Sequence, residues 1–511
     1  MATASHTRQS PVETDQPMNE RDHWKTVGQL PTPTTNDSRV PAALTRLVWL
    51  LWVASLGVLA VRFRSETAWE LGPFAVDGLT TVMWVTVTFF SGIVHSYSRR
   101  YLAGSGHIDR FFGRVFAFTL VVMALVAVDH LALFWAAWLA MGLVMSQLIG
   151  HIEGWPQAQA AGGLARRYFL GSSAALGVAL VALWWLTGAT TVSGVATAVE
   201  TLPAAGIAVA AGALLVAAMA QSALVPFHTW LLSSMTAPTP ASALMHAGFV
   251  NAGGILLVRF APVVTAEPGV MVAIVIVGAT SALAGKLLKT VQTDVKRQLG
   301  CSTVGQMGFM LMQAGLGFFG AAITHLILHG FYKAYQFLAA GDGVEQKSPA
   351  AEKESGSTGV VGLAVIVLTG LAGGGVFAVL TGKGTGFDTG LLLALLVVLT
   401  TLHASRETLK HTSLPVAVRY GAVPLVFLPA IAIYAAVYRV IEGLVVGLPA
   451  VGTPVELTPV HGLVAVAFVL TYLVVESGVY QQSERVYVAL LNAAQPPSET
   501  LLTSTEDYNE Y

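Results

Sequence analysis

About fourteen apolar stretches follow one another along this chain, most of them close to the roughly 20 residues that cross a hydrocarbon core as a helix. A helix is required at that depth because every backbone N–H and C=O must find its partner inside the segment. The first seven runs are 41–61, 74–97, 111–128, 131–150, 168–188, 204–224 and 241–259. The others are 269–286, 300–320, 321–340, 360–381, 391–402, 421–440 and 461–480, of which 391–402 is the shortest. The expected fold class is an all-α polytopic membrane protein with about 14 transmembrane helices.

Charge agrees with this. Only 11% of the 511 residues are charged, where a soluble domain has about a quarter. That shortage excludes a soluble multidomain protein and an intrinsically disordered one. The 27 Lys+Arg against 28 Asp+Glu leave no field to attract nucleic acid. The single cysteine, Cys301, excludes an intramolecular disulfide framework and a cysteine-based zinc or iron–sulfur site.

Three regions are expected: a polar cytoplasmic tail at 1–40, a transmembrane domain at 41–480 and a second polar cytoplasmic tail at 481–511. Both tails are read as partly disordered, and 1–40 has no apolar core of a signal peptide. Lys and Arg set the orientation. Fourteen spans put Arg99, Arg100, Arg110, Arg114, Lys286, Lys296, Arg297 and others on one set of loops, and only Arg62, Arg64, Arg259, Lys383 and Arg439 on the opposite set. The basic side is expected to face the cytoplasm of a bacterial cell inner membrane. The loops 99–114 and 286–297 serve that topology, bind a soluble partner, or do both.

Two segments carry chemistry. The stretch 221–240 reads QSALVPFHTWLLSSMTAPTP and contains Gln221, Pro226, His228, Pro238 and Pro240. Proline removes a hydrogen-bond donor and pushes the preceding residue out of α geometry. Irregular backbone at membrane depth survives only when packed in protein or lining a wet cavity, and such breaks mark ion sites in transporters. A plain loop between two helices is the competing reading.

The second segment, 321–342, reads AAITHLILHGFYKAYQFLAAGD. His325, His329 and Lys333 fall at i, i+4 and i+8, so they form one polar stripe on an apolar helix. Ionisable groups at this depth face the bundle interior or water, where histidine and a buried lysine can pass protons. A metal reading fails for lack of a third ligand close by. Two core histidines and a lysine snorkelling to the interface remain the structural alternative. His246 and Asn251 lie in a run rich in Gly and Ala and serve either as polar-axis groups or as hydrogen-bonding links between helices. Asp77, Asp129 and His130 sit near helix ends, and His403, His461 and Glu476 in the last helices, where structural roles suffice.

The wording VPFHTWLLSSMTAPTPASALMHAGFVNAGG, TDVKRQLGCSTVGQMGFM and HLILHGFYKAYQFLAAGD resembles the proton-conducting, antiporter-like subunits of respiratory complex I and of multisubunit cation/proton antiporters. The resemblance runs from about residue 70 to about 345. Within that superfamily, HAGFVNAGGILLVRFAP and STVGQMGFMLMQAGLG are most similar to membrane subunits of bacterial inorganic-carbon accumulation complexes. The resemblance implies two inverted five-helix repeats, each with a discontinuous helix, around a polar axis. It also implies proton-path roles for His246, His325, His329 and Lys333. Two positions depart from the pattern. A glutamate expected after Trp138 is Leu139, and a lysine expected at 221 is Gln221. Neither side chain titrates near neutral pH, which removes from the first repeat a pair of groups its relatives use.

The resemblance further implies a non-enzymatic coupling subunit that conducts protons or cations and holds no cofactor. Its partner would be a large soluble zinc carbonic-anhydrase-like subunit on the cytoplasmic face, hydrating CO2 to bicarbonate. A cation/proton antiporter subunit, a quinone-linked respiratory subunit and a non-conducting membrane anchor are the alternatives.

Overall fold

The computed structural model describes residues 38–64, 68–341, 359–411, 416–452 and 455–500, most of them helical. Residues 1–37 and 501–511, expected as parts of the two tails, and Asp342 of the quoted motif lie outside them. Among the described residues twelve helices are long and apolar enough to cross a membrane. Val295–Gly315 and Phe319–Gly341 have the length but not the apolar composition, so the sequence count of fourteen exceeds this one by two. They are the helices that carry Thr303 and the His325–Lys333 stripe. From Leu299 to Gly315 the Val295–Gly315 helix is largely buried, so it does not need an apolar surface for lipid.

The second span starts later than its hydropathy suggests. Residues Phe74–Val76 form a strand that pairs antiparallel with Trp69–Leu71, with Leu71 opposite Phe74 across the Gly72–Pro73 turn. The helix Gly78–Tyr101 follows, and the Asp77 carboxylate caps it by accepting from the Thr80 N–H at 2.8 Å. The short run at 391–402 belongs to a longer helix, Gly390–His411.

Close packing brings the middle helices together. A Cβ on Gly278 would lie 2.6 Å from the Met312 nitrogen, and one on Gly308 would lie 2.5 Å from the Ala282 nitrogen. Glycine at these points lets Pro268–Thr290 and Val295–Gly315 touch backbone to backbone. Gly330 does the same for the stripe helix, since a Cβ there would meet Phe90 at 2.7 Å and the Ala247 carbonyl at 2.9 Å. Buried side chains between 79 and 451 form one large core, most of it from residues 79 to 337. The helices at 420–445 and 459–477 bury little of their surface and form the rim.

The break expected at 221–240 is real but shorter. The helix Ala204–Gln221 ends, residues 222–228 are irregular, and a single turn resumes at Thr229–Ser233. Ala223 adopts φ 54° there, and the Val225–Pro226 bond is cis. Pro226 and His228 lie in or at the edge of this interruption. Pro238 and Pro240 instead begin the helix Thr239–Ala247, where a missing N–H costs nothing. A second interruption, Phe249–Asn251, separates that helix from Ala252–Arg259.

The described part of the segment read as a polar C-terminal tail is folded onto the membrane helices. Glu484–Ala493 is a helix ending before Gln495–Pro497, and the Ala493 carbonyl meets His228 Nε2 at 3.2 Å. Ala494 is buried with Leu232, Leu288 and Cys301. Leu490 packs against that cluster while Val486 and Val488 are exposed, so the helix is anchored near its C-terminal end.

Candidate functional site

The stripe forms as its spacing predicts. His325 and His329 stack with ring centres 5.9 Å apart and planes inclined by 25°. Lys333 lies one further turn along, so the three groups span about 12 Å of the helix axis. Lys333 is fully buried, with 0% of its surface exposed. This rules out a lysine snorkelling to the interface. Its ammonium donates to the Leu299 carbonyl at 2.9 Å, and among the described residues no carboxylate forms an ion pair with it.

His246 joins this group across two helices. Its ring stacks on Phe337 at 4.3 Å, and Nδ1 lies 3.0 Å from the Thr303 hydroxyl. Thr303 in turn donates to the Leu299 carbonyl at 2.9 Å. Because the threonine proton is committed to Leu299, the hydroxyl oxygen accepts from His246 Nδ1–H. The result is a hydrogen-bonded bridge from His246 through Thr303 and the Leu299 carbonyl to Lys333. The quoted motif TDVKRQLGCSTVGQMGFM contains both linking residues, but their role depends on the crossing of two helices and is invisible in spacing.

Several buried polar atoms along the same axis meet no protein group. They include both ring nitrogens of His329, His325 Nε2, His246 Nε2, Asn251 Oδ1 and both side-chain atoms of Gln221. Each costs about 1–3 kcal/mol if left unmet, so together they favour water among these side chains. Asn251 spends its amide on the Ala247 carbonyl at 2.7 Å, consistent with a helix-bracing role for that half of the group.

The first half of the chain is different. Trp138 is buried and donates to Ser172 at 3.1 Å, and Leu139 beside it offers only carbon. Gln221 is fully buried. Of the positions that the resemblance places on a proton path, those that titrate lie at His246 and beyond, while Leu139 and Gln221 do not titrate. Asp129 accepts from the N–H and hydroxyl of Ser193 at 2.9 and 2.6 Å, which makes it a loop-bracing residue. His228 lies at the mouth against Ala493 and outside the stripe.

One buried charge pair escaped sequence reasoning. Arg259, read as a loop residue, pairs with Asp77 and reaches Thr80 Oγ1 at 2.7 Å and the Val126 carbonyl. Lys383 and Arg439 also pair with one carboxylate, Glu442, at 3.1 and 3.6 Å. Two of the five positive charges counted on the sparser loops are therefore offset locally, one by Asp77 and one by the Glu442 that Lys383 and Arg439 share.

Comparison with known proteins agrees with this architecture. Residues 128–356 match the family described as NADH:quinone oxidoreductase/Mrp antiporter, transmembrane region. Residues 72–112 match the N-terminus of complex I chain 5. The chain is 39% identical over 287 residues to a probable inorganic carbon transporter subunit DabB1 of Halothiobacillus neapolitanus, covering 55% of this chain and 51% of that one. It is 38% identical over 314 residues to a probable inorganic carbon transporter subunit DabB of Bacillus subtilis, covering 60% and 61%. A NADH-ubiquinone oxidoreductase chain 5 of Cryptococcus neoformans is 37% identical over 269 residues, covering 52% and 41%. The chain thus spans about half the length of the curated relatives it matches. The fold is similar to the Mrp complex from Dietzia sp., with a TM-score of 0.54 at 23% identity over 92% of this chain and 51% of that one. It is also similar to an archaeal membrane-bound sulfane sulfur reductase, with 0.57 at 14% over 91% and 95%. The chain is a polytopic membrane protein that is similar over residues 128–356 to the NADH:quinone oxidoreductase/Mrp antiporter family and has homologues among proteins named DabB inorganic carbon transporter subunits.

Proposed function

We propose that this chain is the proton- or cation-conducting coupling subunit of an inorganic-carbon uptake complex in a bacterial inner membrane. Its basic loops and both termini then face the cytoplasm. The observation that carries this reading is Lys333, a fully buried ammonium without a carboxylate partner among the described residues, at the end of a histidine stripe. A charge placed so is costly to keep and easy to discharge, which suits a carrier site better than a structural one. The path runs through His325, His329, Lys333 and His246. The first repeat, with Leu139 and Gln221, contributes shape rather than protons.

The partner in this reading is a large soluble zinc carbonic-anhydrase-like subunit on the cytoplasmic side, and the zinc belongs to that partner. A proton entering at about 150 mV releases roughly 3.5 kcal/mol, enough to make CO2 hydration effectively one-way. The relatives named as carbon transporter subunits support this assignment over an antiporter or a quinone-linked complex. A neighbouring gene for a large soluble zinc protein favours the carbon pump, and a run of small membrane subunits favours the antiporter. The direct test is carbon uptake by cells carrying Lys333→Ala or His329→Ala. Uncoupler-sensitive uptake should disappear while the complex stays assembled, and normal uptake in both variants would overturn the path.

A further inference from the structure

Outside the stripe, side chains from three helices form a second hydrogen-bonded chain. His403 of Gly390–His411 places Nδ1 2.6 Å from Glu476 Oε1 and Nε2 2.7 Å from Lys286 Nζ. Glu476 ends the Pro459–Ser477 helix but one, its side chain only 5% exposed, with Arg406 facing its other oxygen at 2.9 Å. Lys286 comes from Pro268–Thr290. All three lie in the halves of their helices nearest the basic loops.

The carboxylate only accepts, so His403 donates from Nδ1–H. Lys286 Nζ and His403 Nε2 then hold one proton between them. Either an ammonium faces a neutral ring, or a neutral amine faces an imidazolium, and the summed charge is the same. Donor atoms of His403, Glu407 and Glu476 lie within 4.8 Å of one another, as metal ligands would. Lys286 and Arg406 already supply the positive charge there, so the cluster is an ion-pair network.

A cavity of about 450 Å³ adjoins the pair, lined in part by Lys286, His403, Gln306, Tyr472 and Tyr332. Tyr332 precedes Lys333, and the Lys333 ammonium lies 6.0 Å from the centre of the Tyr332 ring. The cavity wall thus comes within one residue of the stripe's lysine. The geometry points to Lys286, His403 and Glu476 as a second proton-binding site, one that loads and unloads Lys333 from the basic-loop side through this cavity. It rests on the reading that Lys333 conducts.

The step requires only proton transfer. The proton shared by Lys286 Nζ and His403 Nε2 leaves to cavity water, and a proton taken back onto either nitrogen restores the starting state. The groups facing the pair are Lys289 from its own helix, Arg406 and Glu407 from the His403 helix, Tyr472 and Glu476 from the rim, and Tyr332 from the stripe helix. The Val295–Gly315 helix contributes uncharged Ser302 and Gln306.

The test uses the purified complex in liposomes with a trapped pH-sensitive dye and an imposed potential. Lys286→Arg keeps the cation and its donor but does not release a proton near neutral pH. His403→Gln keeps a hydrogen-bonding side chain without a titratable ring. Both should lower proton flux about tenfold or more, as loss of a positioned acid–base group does, with the melting temperature unchanged. Lys333→Ala is the separate arm. If Lys333→Ala conducts like wild type, the underlying reading fails. If it is inactive while both other variants keep the wild-type rate and pH profile, the second site is overturned. Full flux in Lys286→Arg alone also overturns it, because the lysine then supplies only charge.

Discussion

His246 and Lys333 meet through one carbonyl. Lys333 donates to the Leu299 oxygen at 2.9 Å, and the Thr303 hydroxyl that accepts from His246 donates to the same oxygen at 2.9 Å. A lysine from one helix and a histidine from another are thereby held in fixed relation. Substituting Thr303→Val removes the hydroxyl and leaves His246 Nδ1 without its partner. Flux should fall with a modest stability loss of about 1–3 kcal/mol, and Thr303→Ser should restore both. Proteoliposome flux beside thermal unfolding checks this.

Asp77 and Arg259, 182 positions apart, tie the start of Gly78–Tyr101 to the end of Ala252–Arg259. Burial alone would raise the Asp77 carboxyl, but the Arg259 charge and hydrogen bonds outweigh it and hold Asp77 below its ordinary value. A depressed carboxyl stabilises the fold above its unfolded value and loses that contribution as pH falls through the folded one. Asp77→Ala should cost about 3–5 kcal/mol by stranding the guanidinium. Asp77→Asn should flatten the stability curve below about pH 4. Unfolding in detergent at several pH values measures both.

His151 follows the helix Leu131–Ile149, and Arg114 lies 3.1 Å from its Nδ1. Burial first, and then the Arg114 charge, hold it down to about 4 from 6.5. The ring is neutral when folded, so the unfolded chain binds the extra proton between those values. Stability should therefore decline as pH drops from 6.5 toward 4, and His151→Gln should reduce that decline. Melting temperature against pH reads it directly.

Gln221 is buried with neither side-chain atom met by protein. If the first repeat carries no protons, Gln221→Met should leave flux at the wild-type level. Removing two unmet polar atoms should leave stability equal or slightly higher. A proton-flux assay with a parallel melt decides it, and a large loss of flux would return the first repeat to the path.

The apolar runs located the long helices, including Val295–Gly315 and Phe319–Gly341, which are less apolar than the rest because polar and charged side chains interrupt them. The spacing of His325, His329 and Lys333 was legible because an α-helix fixes which residues share a face. Thr303, the Asp77–Arg259 pair and the Lys286–His403 contact were not, because each joins residues distant in sequence through a helix crossing. Pro238 and Pro240 misled for a local reason. A proline reads alike in a break and at a helix start, and only the chain path distinguishes them.

Proton flux through Lys333 is the central claim, and the purified complex in liposomes tests it most directly. Lys333→Ala and Lys333→Arg should both abolish dye-reported proton uptake driven by an imposed potential, the first by removing the carrier and the second by fixing its charge. Assembly of the complex should be retained in both. Wild-type flux in either variant, with the complex intact, would contradict the account.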